Sequence, residues 1–255
     1  MKKRNNFLKL AGIVLLIGSI VAVWGIVDKL PVIGDSNSAP NAHVSAHYIE
    51  KGPERTNSPN LVTGVLADFR GFDTLLETTV MFLAGISVSM ILSNKLKRHW
   101  DGSIFDKNER FNGLDIKVVM PVIVPVILIY AVYVLLHGEV SLGGGFQAGA
   151  LLAMAFIIYT MFTDITKKKF RITQHFTAIV AAIGVLIYGV TGLLPIFYGG
   201  NFLQYDKLPF KVENVAELHS IGMLMIETGV TIGVMATIIT ILEAVLERNS
   251  INGPN

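Results

Sequence analysis

Six blocks of nearly unbroken apolar residues run along the chain, near 8–27, 75–92, 118–136, 146–162, 176–194 and 221–245. Each can cross about 30 Å of hydrocarbon at about 1.5 Å per residue, the fourth with the least to spare. The blocks are continuous, not alternating, so helices are predicted in place of barrel strands. The expected fold class is all-α, a polytopic helical membrane protein with about six transmembrane helices. The first block follows Met1-Lys2-Lys3-Arg4, as a signal peptide would. It is long for a signal core, however, and ends in Trp24-Gly25-Ile26-Val27 before Asp28-Lys29, without small residues for cleavage. A retained span or signal anchor is predicted.

Polar segments between the blocks set the organisation. Residues 34–59 are rich in Ser, Asn, Pro and His without strong periodicity, and read as an external linker. The reading divides the chain into a two-span front region at 1–94, a cytoplasmic connector at 95–117, a four-span domain at 118–247 and a cytoplasmic tail at 248–255. With the amino terminus inside, 15 of the 21 Lys and Arg residues fall on the inner side. Only Lys29, Lys51, Arg55, Lys207 and Lys211 fall outside, with Arg70 left at the start of a span. That bias predicts two cytoplasmic termini in a cell membrane.

Composition narrows the function. Hydrophobic residues make up 52% of the 255 and charged residues 16%, which excludes a disordered chain and a soluble globular enzyme. There is no cysteine, hence no disulfide, iron–sulfur ligation or thiol nucleophile. A net charge of +2 gives no reason to expect nucleic acid as a partner. No cofactor is expected. His43 and His47 form a His-x-x-x-His pair, but Val44 stands where a zincin motif has Glu, and no metal site is expected.

Charged residues inside apolar surroundings carry the candidate chemistry. Asp68, Arg70, Asp73 and Glu77 lie just before or inside the second span. On a helix, Arg70 and Asp73, and Asp73 and Glu77, share a face. Two carboxylates there disfavour joint ionisation while Arg70 favours it. The set is a candidate ion path, with Glu77 deepest in the apolar block. The alternative is structural: Arg70 pairs with Asp68 or Asp73 and fixes a bend at Gly71, while Glu77 anchors the helix start.

The third span ends at His137-Gly138-Glu139, and Gly143-Gly144-Gly145-Phe146-Gln147-Ala148-Gly149 opens the fourth. Three successive glycines oppose helix formation, so they predict a sharp reversal and close backbone approach. Gly145 and Gly149 form a small-xxx-small face for a neighbouring helix. No Lys-Ser/Thr follows to make a phosphate loop. His137 and Glu139 are candidates for proton transfer, and Gln147 for bonding another helix or lining a polar pocket. Glu227 lies inside the last span, where an ionised carboxylate needs protein, water or a cation. Thr228, Gly229, Thr231 and Gly233 give that helix a small polar surface suited to packing. A structural hydrogen-bonding role for Glu227 remains the alternative.

These motifs resemble two neighbouring parts of Mrp-type multisubunit cation/proton antiporters. Ala67-Asp68-Phe69-Arg70-Gly71-Phe72-Asp73-Thr74-Leu75-Leu76-Glu77 is similar to the short domain near the carboxyl end of the large MrpA protein, also found as a small separate chain in membrane-bound hydrogenases. His137-Gly138-Glu139, the glycine turn and Glu227-Thr228-Gly229-Val230 resemble the MnhB/MrpB family. Leu142 stands where that family often has Pro, and Leu76 and Thr78 flank Glu77 in place of Gly and Ile.

The resemblance implies an accessory subunit in which carboxylate protonation is coupled to cation passage. Its partners would be other membrane subunits, sodium or another cation, protons and the lipid bilayer. No catalysis is expected from the isolated chain. It implies an ion-path role for Asp68, Arg70, Asp73, Glu77 and Glu227, and a structural one for Gly143, Gly144, Gly145 and Gly149. The antiporter-like module of a hydrogenase or complex-I-like redox complex, and a purely structural role, are the competing expectations.

Overall fold

The computed structural model describes residues 2–27, 29–92, 116–162 and 173–252. Residues 95–115 of the expected connector, and the charged edge at Asp164 and Lys167–Lys169, lie outside the described residues. The chain forms two compact units that divide between Tyr48 and Ile49.

The first unit holds helix α1, Lys2–Val27, whose described apolar side chains are almost all exposed. A helix clothed in Leu, Ile and Val on every side suits a lipid environment. Its apolar stretch Lys9–Val27 meets the length for a span. Residues 34–59, expected as a linker without helix, contain a π-helical turn at Pro40–Val44 and then α2, Ser45–Thr56. The helix is polar on average and carries Gly52 and Pro53 in its interior, so no apolar block announces it; within the second unit it buries only Gly52 and Thr56.

In the second unit, α3 is a single turn, Leu61–Thr63, that runs into a π-helical segment, Gly64–Phe69. The backbone breaks at Arg70, and α4 runs Gly71–Leu92. Helices α5, Ile116–Leu136, and α6, Gly145–Phe162, form a hairpin across the glycine turn. Helices α7, Gln174–Phe197, and α8, Val215–Asn252, follow, joined by a loop with a 3-10 turn at Tyr205–Lys207. Helix α8 thus includes residues 248–252 of the expected tail. Five helices are long and apolar enough to span a membrane, and α6 supplies a shorter apolar sixth. The protein is an all-α, multi-pass membrane protein.

Helix α8 is the axis of this unit, packed by α4, α5, α6 and α7. Its Thr and Gly positions explain why. A Cβ at Gly184 of α7 would lie 2.6 Å from the Gly229 carbonyl oxygen and 2.7 Å from Gly233 Cα, so the two backbones touch directly. Thr240 and Thr177 then bridge the same two helices by a 2.7 Å hydroxyl hydrogen bond. Without a water-driven hydrophobic effect between spans, such close packing supplies the association. The small polar face expected on the last span is therefore its contact surface. Tyr188, Tyr205, Met223, Ile226, Val230 and Val234 fill the core beside it.

Candidate functional site

Two polar centres lie along α8. The lower-numbered one forms where the front segment breaks. Arg70 N donates to Val65 O at 2.8 Å, a five-residue step that widens the helix before it stops. Such a break frees carbonyls, which are costly if left unpaired away from water. Hydroxyls on α4 and on the 3-10 turn capture two of them, and a third braces the first residue of α4. Thr74 Oγ1 donates to Leu66 O at 2.7 Å, Tyr205 Oη to Ala67 O at 2.8 Å and Tyr188 Oη to Gly71 O at 2.6 Å. Asp68, on the widened turn, accepts a hydrogen bond from His219 Nδ1 of α8. The pair is deeply buried, with side chains 4% and 9% exposed respectively. The Tyr205 ring stands edge-on to His219, its centroid 5.8 Å away. Burial holds the Tyr205 hydroxyl well above its ordinary pKa, helped by Tyr188, Asp68 and Glu227, so it remains a donor.

Of the other front residues, Arg70 pairs with Asp73, one of the two partners the sequence offered, and its Nε donates to Asp73 Oδ2 at 2.6 Å. Both side chains are about half exposed, so this pair contributes about 0–1 kcal/mol. Glu77 stands on the exposed face of α4 and makes no hydrogen bond or ion pair among the described residues. The four front charges therefore separate: Asp68 turns inward, and Asp73 and Glu77 turn outward.

The second centre joins two motifs that are about 80 residues apart. The glycine turn folds over the Glu227 carboxylate. A Cβ at Gly144 would sit 3.1 Å from Glu227 Oε1, and one at Gly138 would sit 3.1 Å from Oε2. Gly144 also has φ +135°, which L side chains rarely adopt. At Gly145, a Cβ would meet the Glu227 carbonyl oxygen at 2.5 Å, and at Gly149 the Thr231 carbonyl oxygen at 2.7 Å. The small-xxx-small face of α6 therefore lies against α8. Gly143 turns the other way, toward the Val134 carbonyl of α5. Glu227 is 8% exposed, and its Oε2 has no hydrogen-bond partner among the described residues.

Glu139 is half-buried beside this centre, and Ser220 hydrogen-bonds its carboxylate. Burial raises its pKa above the ordinary carboxylate value, a shift the Ser220 bond partly opposes. Gln147 lies exposed at the rim, with Oε1 3.4 Å from the Gly144 Cβ position. His137 does not enter the centre: it is exposed, stacks on Tyr133 at 4.1 Å and bonds back to Tyr133 O at 3.2 Å.

The front segment also grips the glycine turn. Asn60 N donates to Glu139 O at 3.0 Å, and its Nδ2 donates to Gly138 O at 2.9 Å and Ser141 O at 2.7 Å. Thr63 Oγ1 donates to Gly138 O at 2.7 Å, and Ser58 Oγ to Glu139 O at 2.8 Å. Sequence reasoning missed Asn60, Tyr188, Tyr205 and His219. One signal was available: His219, Met223 and Glu227 recur at four-residue steps on one face of α8.

Residues 116–240 match a family described as a domain related to the MnhB subunit of Na+/H+ antiporter. Residues 32–101 match the MbhE family, described as a subunit of MBH. A Staphylococcus haemolyticus chain named as antiporter subunit mnhB2 is 26% identical over 133 residues, covering 52% of this chain and 94% of that one. A Rhizobium meliloti chain named as the A/B subunit of a probable K(+)/H(+) antiporter is 26% identical over 236 residues, covering 83% of this chain and 23% of that one. A chain in the structure of the membrane-bound sulfane sulfur reductase, an archaeal respiratory membrane complex, superposes with a TM-score of 0.67 at 26% identity. That match covers 96% of this chain and 99% of its counterpart. The protein is thus a multi-pass membrane protein in which a segment matching the MbhE family precedes a domain matching the MnhB-related family.

Proposed function

We propose that this chain is an integral subunit of a multisubunit assembly that exchanges a cation for protons, and that it lends carboxylates to the ion path. The observation that carries the reading is Glu227: a buried carboxylate in an MnhB-related domain, enclosed by backbone glycines instead of a basic side chain. An anion there needs a proton or a cation, and alternation between the two is the elementary step of antiport. Asp73 and Glu77, outward on α4, supply acidic positions where another membrane subunit would complete the route. Asp68 with His219 supplies an inner protonatable pair. Gly143, Gly144, Gly145 and Gly149 shape the path without taking part chemically. Both termini are placed on the cytoplasmic side, following the Lys and Arg bias.

A second reading, membership in a redox-driven membrane complex, is favoured by one observation. A chain of the sulfane sulfur reductase complex is matched over 99% of its length. Sealed vesicles with the intact assembly distinguish the two. Under the first reading, an imposed proton gradient collapses when sodium or potassium is added, with no electron donor present. Under the second, cation and proton movement starts only with a donor. In either case Glu77→Gln, in assembled complexes, is expected to lose flux, with partial retention in Glu77→Asp. Normal flux in Glu77→Gln removes that residue from the path.

A further inference from the structure

We propose that Glu227, Gln147 and Glu139 form a binding site for one desolvated monovalent metal cation beneath the glycine turn. The proposal rests on the ion-path reading and specifies what the path holds at this point. The turn leaves the Glu227 carboxylate bare: Gly138 faces Oε2 and Gly144 faces Oε1, each where any larger residue would crowd the oxygen. Oε2 is buried without a hydrogen-bond donor among the described residues. No Lys, Arg or His pairs with Glu227 among them, and the charged group that acts on it is another carboxylate, Glu139. A chain that buried this acid only for structure would place a donor against it.

The donor set then defines the ligand class. Glu227 Oε1 and Gln147 Oε1 both lie close to one point, 3.1 and 3.4 Å from the Gly144 Cβ position. Oxygen donors without nitrogen or sulfur suit a hard ion. Among the described residues no three acidic, His or Cys side chains converge as a divalent ion would require. One deeply buried carboxylate, with a second half-buried beside it, matches a single positive charge. Gln147 is exposed at the rim, so it gives the ion an entry that replaces hydration water before the carboxylate is reached. The turn that frames the site is itself held by Asn60 and Thr63, which links the MbhE-like segment to ion binding.

The test uses the assembled complex in membranes and a hydrophobic carbodiimide, which attaches covalently to protonated buried carboxyl groups. Labelling of the Glu227 peptide is followed by mass spectrometry in choline chloride, sodium chloride or potassium chloride at equal ionic strength. Sodium or potassium is expected to slow labelling of Glu227 at least 5-fold relative to choline. Gln147→Leu is expected to raise the protecting concentration by about 10-fold, while Glu227 still labels in choline. Equal rates in all three salts would make this a proton site only and overturn the proposal. So would a Glu227 that never labels, or Gln147→Leu protected as well as wild type. Vesicle flux measured on the same preparation separates the two ideas: intact cation-dependent flux with unprotected Glu227 rejects this site and leaves the chain's function standing.

Discussion

Breaking the Asp68–His219 pair tests whether the front segment and the last span are one working unit. His219→Phe keeps a ring against Tyr205, whose centroid lies 5.8 Å from the imidazole, but removes the nitrogen bonded to Asp68. Asp68 is then a carboxylate with 4% of its side chain exposed and its hydrogen-bond donor gone. Stranding one member of such a pair costs about 3–5 kcal/mol. Asp68→Asn removes the charge and keeps an acceptor, so it costs about 1 kcal/mol. In the double variant no buried charge remains, and the expected cost is about 1–3 kcal/mol. The single costs therefore exceed the double by about 2–3 kcal/mol, well above the few tenths expected of independent sites. Equilibrium unfolding of the purified protein in detergent micelles measures all four states. Strict additivity, or a His219→Phe cost below about 1 kcal/mol, refutes the reasoning.

Three further outcomes follow from single contacts. Gly149→Ala places a Cβ 2.7 Å from the Thr231 carbonyl and 2.9 Å from Val234 Cβ, whereas Gly189→Ala meets nothing within 4 Å. The first should cost about 1–3 kcal/mol by overpacking and the second should gain up to about 1 kcal/mol by helix propensity, read as opposite shifts in melting temperature. Asn60→Asp keeps the cap on Val62 N but loses the amide that reaches Gly138, Ser141 and Thr63; its two N–H groups make two full bonds at a time, so the loss is roughly 2 kcal/mol at about 1 kcal/mol each, checked by the same unfolding assay. Glu139 has a raised pKa when folded, so the folded state holds its proton more tightly than the unfolded chain. Its contribution is fully present below the ordinary carboxylate value and is lost as pH rises through the raised one; Glu139→Gln should flatten the fall in melting temperature above about pH 4.5.

The spans were legible because long apolar blocks have one physical solution in lipid, and even the short α6 was set apart. The role of α8 as the axis was partly legible, since Thr228, Gly229, Thr231 and Gly233 mark a surface built for close contact. The Arg70–Asp73 pair was one of two pairings that the spacing left open. The two inner centres were not legible, because each is made by residues far apart in sequence. Asp68 meets His219 across 151 positions, and Glu227 meets a turn whose glycines looked sufficient as a hairpin. Glu77 looked deepest by its place in the apolar block. Depth along a helix says nothing about which side faces inward, and here that side carries Thr74 and Thr78 instead. The helix at 45–56 escaped notice because it is short and polar on average, with Gly52 and Pro53 reading as breakers.

Cation-dependent proton flux in sealed vesicles of the intact assembly, comparing wild type with Glu227→Gln and Glu227→Asp, tests the central claim most directly. Assembly is verified in each preparation. The account predicts that assembled Glu227→Gln loses most of the flux and that Glu227→Asp keeps part of it. Wild-type flux in assembled Glu227→Gln would contradict the account and leave this chain a scaffold for a path carried elsewhere.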